Sequence, residues 1–165
     1  MKGPDVLVVM GSPSDRDVMG EAAKVLAHFG VDCETRVLSA HRCPQDTANV
    51  FSVAAGRGVK VVICGAGMSA HLAGAAAANT TLPVIGVPLS SGALDGLDAL
   101  LATVNMPPGV PVATVGMGVP GAKNAALLAV SILALSNADL ATKLAKYREE
   151  MRKKVLAADE EARGV

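Results

Sequence analysis

Asp5-Val6-Leu7-Val8-Val9-Met10, followed by Gly11-Ser12-Pro13-Ser14-Asp15, is the stretch on which the fold turns. From Val6 the run is continuously apolar, rich in β-branched residues and of strand rather than helix length. A strand without polar alternation suits a parallel sheet that is covered on both faces. Gly11 and Pro13 end it. Ser14 with Asp17 then matches the S-x-x-[DE] pattern of a capping box, in which a hydroxyl satisfies free backbone donors at a helix start. Val18, Ala22, Val25, Leu26 and Phe29 recur on one helical face, and Gly30 supplies a stop. This is a strand–loop–helix unit.

The unit repeats along the chain. Cys33 to Leu38 is a less apolar strand, as expected nearer a sheet edge, and the loop Ser39-Ala40-His41-Arg42 leads to a helix from about Pro44 to Ala55. Val59 to Cys64 is a third strand, Gly65-Ala66-Gly67-Met68-Ser69-Ala70-His71 its loop, and a helix of small residues runs to about Asn79. Pro83 to Val87 is a fourth strand, followed by Pro88-Leu89-Ser90-Ser91-Gly92 and a helix around Leu94 to Val104. Val110 to Val115 is a fifth strand, and Gly116 to Gly121 leads to an apolar helix from Ala122 to Leu135. Strands alternating with helices imply a parallel sheet with helices on both faces, a three-layer αβα sandwich. The fixed hand of such connections puts every strand-to-helix loop on one edge of the sheet. Ser12, Ser14, Asp15, Ser39, His41, Arg42, Gly65, His71 and Ser90 therefore share one rim.

Composition narrows the function. The chain has 165 residues, 51% of them hydrophobic and only 18% charged, with no net charge and three aromatic residues, Phe29, Phe51 and Tyr147. Surplus apolar surface on a chain of this size points to burial between subunits, so an oligomer is expected. Neither a nucleic-acid stripe nor a polybasic membrane anchor is present. Ala125 to Leu135 falls short of the roughly 20 residues that span a bilayer. Cys33, Cys43 and Cys64 lack CxxC spacing and read as thiols in a reducing compartment, hence a cytoplasmic location, rather than as a zinc site or disulfide frame. Met1-Lys2-Gly3-Pro4 runs into the first strand without a signal-peptide pattern.

The rim residues suit a phosphorylated small ligand. Ser12 and Ser14 precede a helix N-terminus, whose dipole favours an anion. Arg42 and Ser39 add a permanently charged fork and a hydroxyl. Alone, Ser14 would be a helix cap and Arg42 a surface ion-pair partner; one shared rim with His41 favours the ligand. His41 is the best proton-transfer candidate, because an imidazole titrates near neutrality. His71 opens a helix and either donates to a ligand or caps, while His28 beside Phe29 reads as structural. No nucleophile elbow, HExxH, P-loop lysine or EF-hand occurs, and Gly65-Ala66-Gly67 does not complete G-x-G-x-x-G. A receiver domain would need acidic residues where Met10-Gly11 and Cys64-Gly65 stand. A flavin electron carrier would bring aromatics to the rim, which has none. A non-catalytic nucleotide-binding module is the alternative outside enzymes.

Met10-Gly11-Ser12-Pro13-Ser14-Asp15, Ser39-Ala40-His41-Arg42 and Gly65-Ala66-Gly67-Met68-Ser69-Ala70-His71-Leu72 together resemble the signature loops of the PurE family, the N5-carboxyaminoimidazole ribonucleotide mutases of purine biosynthesis. Met106-Pro107-Pro108-Gly109-Val110-Pro111-Val112 and Asn124-Ala125-Ala126-Leu127-Leu128-Ala129 resemble its later segments. The likeness covers nearly the whole chain, read as one PurE-like domain over 1–165. It implies a flavodoxin-like five-stranded parallel sheet, a homo-octamer and neither metal nor organic cofactor. It implies an isomerase that moves a carboxylate from the exocyclic nitrogen to ring carbon C4 of a ribonucleotide. Ser14, Ser39 and Arg42 would hold the 5′-phosphate and Asp15 the ribose. Ser12, Gly65, Ala66, Gly67 and Leu72 would belong to the substrate site, with His41 as proton shuttle and His71 near the migrating carboxylate. Within the third loop Ala70-His71-Leu72 favours the mutases over the sister class, which carboxylates aminoimidazole ribonucleotide directly with carbon dioxide. One position departs from the pattern: Ala73 stands where proline often follows the His-Leu pair.

The last segment stands apart. Ser136 and Asp139 suggest a second capping box, and the helix, about 137–162, carries a narrow stripe of Leu140, Leu144, Tyr147, Met151 and Val155. Its other face is charged, with Glu149 and Lys153, and Glu150 and Lys154, spaced as i, i+4 pairs. Such a stripe is typical of a helix–helix seam, so packing on a neighbouring subunit is expected.

Overall fold

A computed structural model describes residues 3–164; Met1, Lys2 and Val165, and the expectations that fall on them, lie outside the described residues. Five strands and six α-helices alternate as β1 (Val6–Met10), α1 (Arg16–Phe29), β2 (Cys33–Val37), α2 (Pro44–Ser52), β3 (Val61–Gly67), α3 (Leu72–Asn79), β4 (Val84–Leu89), α4 (Leu97–Val104), β5 (Ala113–Thr114), α5 (Gly118–Ala134) and α6 (Ala138–Arg163). Short 3-10 turns cover Pro13–Asp15 and Ala55–Arg57. Every strand pair is parallel, in the order β2-β1-β3-β4-β5, which is the flavodoxin-like arrangement.

The unbroken apolar run of β1 is explained by what covers it. All five of its residues are buried, Val6, Val8 and Met10 toward α1 and α5, Leu7 and Val9 toward α2 and α3. Since successive side chains of a strand point to opposite faces, a strand sandwiched between helix layers has no face left for polar residues. The edge strand β2 is only half covered, and its Glu34 pairs with Arg36 at 3.1 Å and with Arg57. In α1 the buried face is Met19, Ala22, Leu26 and Phe29, and Gly30 ends the helix in the left-handed region (φ 73°).

Several expected boundaries move. β3 starts at Val61 and runs through Gly67, so Gly65-Ala66-Gly67 is strand rather than loop, paired with Val87, Pro88 and Leu89 of β4. β5 keeps only two residues, because Met106 to Val112 is irregular connection. Asp95 and Gly96 hold positive φ (48° and 90°), so α4 begins at Leu97 rather than Leu94. Neither capping box forms. Ser12, not Ser14, accepts a backbone bond at the start of the 3-10 turn, and Asn137, not Ser136, caps α6 by accepting from Leu140 N at 3.1 Å. On α6 the ion pair Arg152–Glu149, at 2.9 Å, replaces the expected i, i+4 pairing of Glu149.

The first half of α6 packs on its own chain, which corrects the expectation for that half. Leu140 is buried, Leu144 and Tyr147 lie against the α1–α5 core, and the Lys143 ammonium donates to Phe29 O at 3.1 Å. That charge sits at the C-terminal end of α1, where a helix dipole favours it. Farther along, Met151, Val155 and Leu156 are exposed. None of the helices among the described residues is long and apolar enough to cross a membrane.

Candidate active site

Strand order reverses between β1 and β3, where connections leave in opposite directions and a crevice opens beyond the carboxyl ends of the strands. A cavity of about 470 Å³ lies there, lined by the carboxyl end of β3 and by the segments that follow β1, β2, β3 and β4. Ser12, Ser14, Asp15, Ser39, His41, Arg42, Ala66, Gly67, His71 and Leu72 all line it, so ten of the eleven expected site residues meet. Gly65 does not. It is buried one residue deeper in β3, where a methyl group would overlap the Met19 side chain, and its carbonyl accepts from Gly11 N at 3.1 Å. Its part is to let α1 close on the sheet and to hold the first loop. Ser91, which the sequence reading left out, also lines the cavity. Its hydroxyl lies over Gly67, where any side chain would overlap it. Only the strand pairing of β3 with β4 brings it there.

The second loop is built around Ser39. Its hydroxyl oxygen accepts from Arg42 N at 3.3 Å and from Arg42 Nε at 3.2 Å, while Arg42 Nη2 donates to Gly11 O at 3.0 Å. The guanidinium is thereby held between the first and second loops, and three of its five N–H donors stay free for an anion. The serine keeps its own proton to donate. In the first loop Ser14 Oγ donates to Ser12 Oγ at 2.8 Å, and a hydroxyl rotor can turn to a ligand at small cost. Asp15 is half-buried. Burial raises its carboxyl above the ordinary value of 3.8, opposed by the Ser12 backbone N–H, the nearby Ser14 hydroxyl and the Arg42 charge.

In the same cavity His41 Nε2 lies 2.7 Å from His71 Nδ1, the rings 4.8 Å apart and inclined at 72°. Such a contact needs one donor and one acceptor nitrogen, so the pair shares one proton. The third loop delivers His71 through two strained residues, Met68 (φ 50°) and Ala70 (φ 36°), where non-glycine side chains rarely sit. His41, Arg42 and His71 are exposed in the isolated chain. His28 lies elsewhere, packed edge-on against Phe29 and Tyr147, as a structural residue.

A crevice at this switch point, lined by both a guanidinium–serine anchor and an imidazole pair, can hold a phosphorylated ligand and move protons on it. Comparison with known proteins decides the family. Residues 5–154 match AIR carboxylase. The chain belongs to the AIR carboxylase family. Among its relatives in that family, N5-carboxyaminoimidazole ribonucleotide mutase of Pyrococcus abyssi is 56% identical over 150 residues, covering 91% of this chain and 85% of that one. The protein of the same name from Bacillus subtilis is 49% identical over 158 residues, covering 96% and 98%. The crystal structure of Treponema denticola PurE superposes with a TM-score of 0.86 at 29% identity, covering 94% of this chain and 96% of that one. This chain and that PurE thus share the fold over nearly their whole lengths.

Proposed function

We propose that the chain is an enzyme of purine biosynthesis that converts N5-carboxyaminoimidazole ribonucleotide to 4-carboxy-5-aminoimidazole ribonucleotide. The names of its relatives in Pyrococcus abyssi and Bacillus subtilis support the reaction. The observation that carries the residue roles is that the His41–His71 pair and the Arg42–Ser39 anchor line one cavity. Arg42, Ser39 and Ser14 bind the 5′-phosphate, Asp15 accepts from the ribose hydroxyls, and Ser12, Ala66, Gly67 and Leu72 line the base.

The chemistry follows from that placement. A carbamate loses carbon dioxide once its nitrogen gains a proton, and His41 supplies that proton. The C–N bond breaks, its electron pair stays on nitrogen, and carbon dioxide is released beside the ring. Ring carbon C4, made electron-rich by the amine, attacks the carbon dioxide and forms a C–C bond. His41, neutral after the first step, removes the C4 proton and restores the aromatic ring. His41 thus gives one proton and takes one back while the carboxylate moves from nitrogen to carbon, with no external base. His71 holds the imidazole in place and faces the migrating carboxylate.

Carbon dioxide must not escape between the two steps, which requires a closed, dry pocket. The isolated chain leaves the rim open, so closure is assigned to neighbouring subunits. We take the protein to be a cytoplasmic homo-octamer of single-domain chains that works without metal or organic cofactor. Apolar surface at Leu94, Leu97, Leu101 and Val104 and on the far half of α6 supports the assembly. The purified protein should be offered each ribonucleotide separately at low bicarbonate. Turnover of the N5-carboxylated compound bears out the mutase. Turnover of the uncarboxylated compound with added carbon dioxide alone would assign the chain to direct carboxylation instead.

A further inference from the structure

We infer that Cys43 is a positioning residue for the anion anchor: its thiol clasps the backbone of Ser39 and so sets the geometry of the Ser39 hydroxyl and the Arg42 guanidinium. The inference rests on the proposed function for its kinetic consequence and on geometry alone for the clasp. Ser39 N donates to Cys43 Sγ at 3.3 Å, and the Cys43 S–H donates back to Ser39 O, also at 3.3 Å. Cys43 N donates to the same carbonyl at 2.9 Å. The five residues from Ser39 to Cys43 are thereby tied at both ends, with His41 and Arg42 between the ties.

Two further observations show that this use of the thiol displaces its ordinary one. Cys43 occupies the N-cap position of α2, yet its side chain makes no capping bond to that helix. A side-chain acceptor there would bond the second or third helical N–H. Instead the sulfur turns back to the loop, and Pro44 at the first helical position needs no acceptor. The thiol hydrogen has two acceptors within reach. Thr47 Oγ1, which gives its own hydrogen to Cys43 O at 2.8 Å and so can only accept, stands 3.7 Å from the sulfur, while Ser39 O is nearer at 3.3 Å. Because Ser39 Oγ receives two bonds from Arg42, a shift of the Ser39 backbone moves the guanidinium with it. His41 is held separately by its contact with His71.

The test compares wild type, Cys43→Ala and Cys43→Ser. In Cys43→Ala the KM for the ribonucleotide should rise about fivefold while kcat changes less than about twofold, the loss expected of one modest hydrogen bond. In the free protein, exchange of the Ser39 and Arg42 amide protons should quicken by a similar factor. Cys43→Ser, which keeps a donor and an acceptor at the same branch, should restore both. Unchanged KM and unchanged amide exchange in Cys43→Ala would overturn the inference, as would a fall in kcat at constant KM. A wild-type protein that neither binds nor converts the ribonucleotide would overturn the proposed function, while the exchange rates would still judge the clasp on their own.

Discussion

At the scale of single residues, His41 and Asp15 make opposite demands. His41 lies in an exposed loop with one partner, so its replacement costs the fold little. His41→Asn is expected to abolish turnover while ligand affinity stays within about tenfold, or about 1.4 kcal/mol. Steady-state kinetics with equilibrium binding checks this, and near-normal turnover would refute the proton-shuttle role. Asp15 is a charge retained at the cost of stability. Its folded-state pKa is raised above 3.8 chiefly by burial, so the folded chain binds the proton more tightly than the unfolded chain. Stability is then lost as pH rises through the folded value, and below about pH 3.8 the penalty is absent. Asp15→Asn should therefore melt above wild type at pH 7, with the two melting temperatures converging as the pH falls below 3.8. A lower melting temperature at pH 7 would show that the Arg42 charge and the serine bonds outweigh burial. Residue identity made both groups visible in the sequence. What it did not reveal was the imidazole contact, because residues thirty apart meet only through the pairing of β1 with β2 and β3.

At the scale of elements, close approaches decide more than propensity does. α5 packs on the sheet beside α1, and near its start Gly121 passes so near the Gly116 carbonyl that a methyl group would overlap backbone. In an exposed helix Gly→Ala stabilises by about 1 kcal/mol. Here Gly121→Ala should instead destabilise by about 2 kcal/mol or more, since a backbone oxygen cannot swing aside as a side chain can. Chemical denaturation would measure it, and a gain in stability would show that the loop before α5 yields freely. The same logic explains which element boundaries were legible. β1 and α1 read correctly because their patterns are local: an unbroken apolar run, and apolar residues at helical spacing closed by Gly30. The extension of β3 through Gly67 was not legible, since glycine and alanine carry little strand preference and pair only because β4 lies alongside. The caps at Ser12 and Asn137 were missed by one or two residues for a similar reason. Several hydroxyl and amide acceptors stood near each start, and the turn geometry chose among them.

At the scale of the whole molecule, exposed apolar surface is what the proposed assembly would cover. Leu94, Leu97, Leu101 and Val104 are each at least half exposed and recur at helical spacing along and just before α4. Leu135, Met151 and Val155 are exposed on or beside α6. Light scattering should find the wild type well above the 16.6 kDa of one chain. Combining Leu97→Glu with Leu101→Glu should shift it to smaller species with its secondary structure intact. A wild type that stays monomeric at micromolar concentration would sink the assembly and the closure assigned to it. The sequence by itself determined the layer architecture, the edge of the sheet that carries function and the chemical types gathered there. Those features depend on local patterning, on the handedness of connections and on residue identity. Only the tertiary structure decided which groups touch: the imidazole pair, the guanidinium held on Gly11 O, the clasp of Cys43 on Ser39, and Gly65 beneath the rim rather than on it. Each depends on how strands align across the sheet and how helices seat on it, a sum of many long-range contacts that no single stretch encodes.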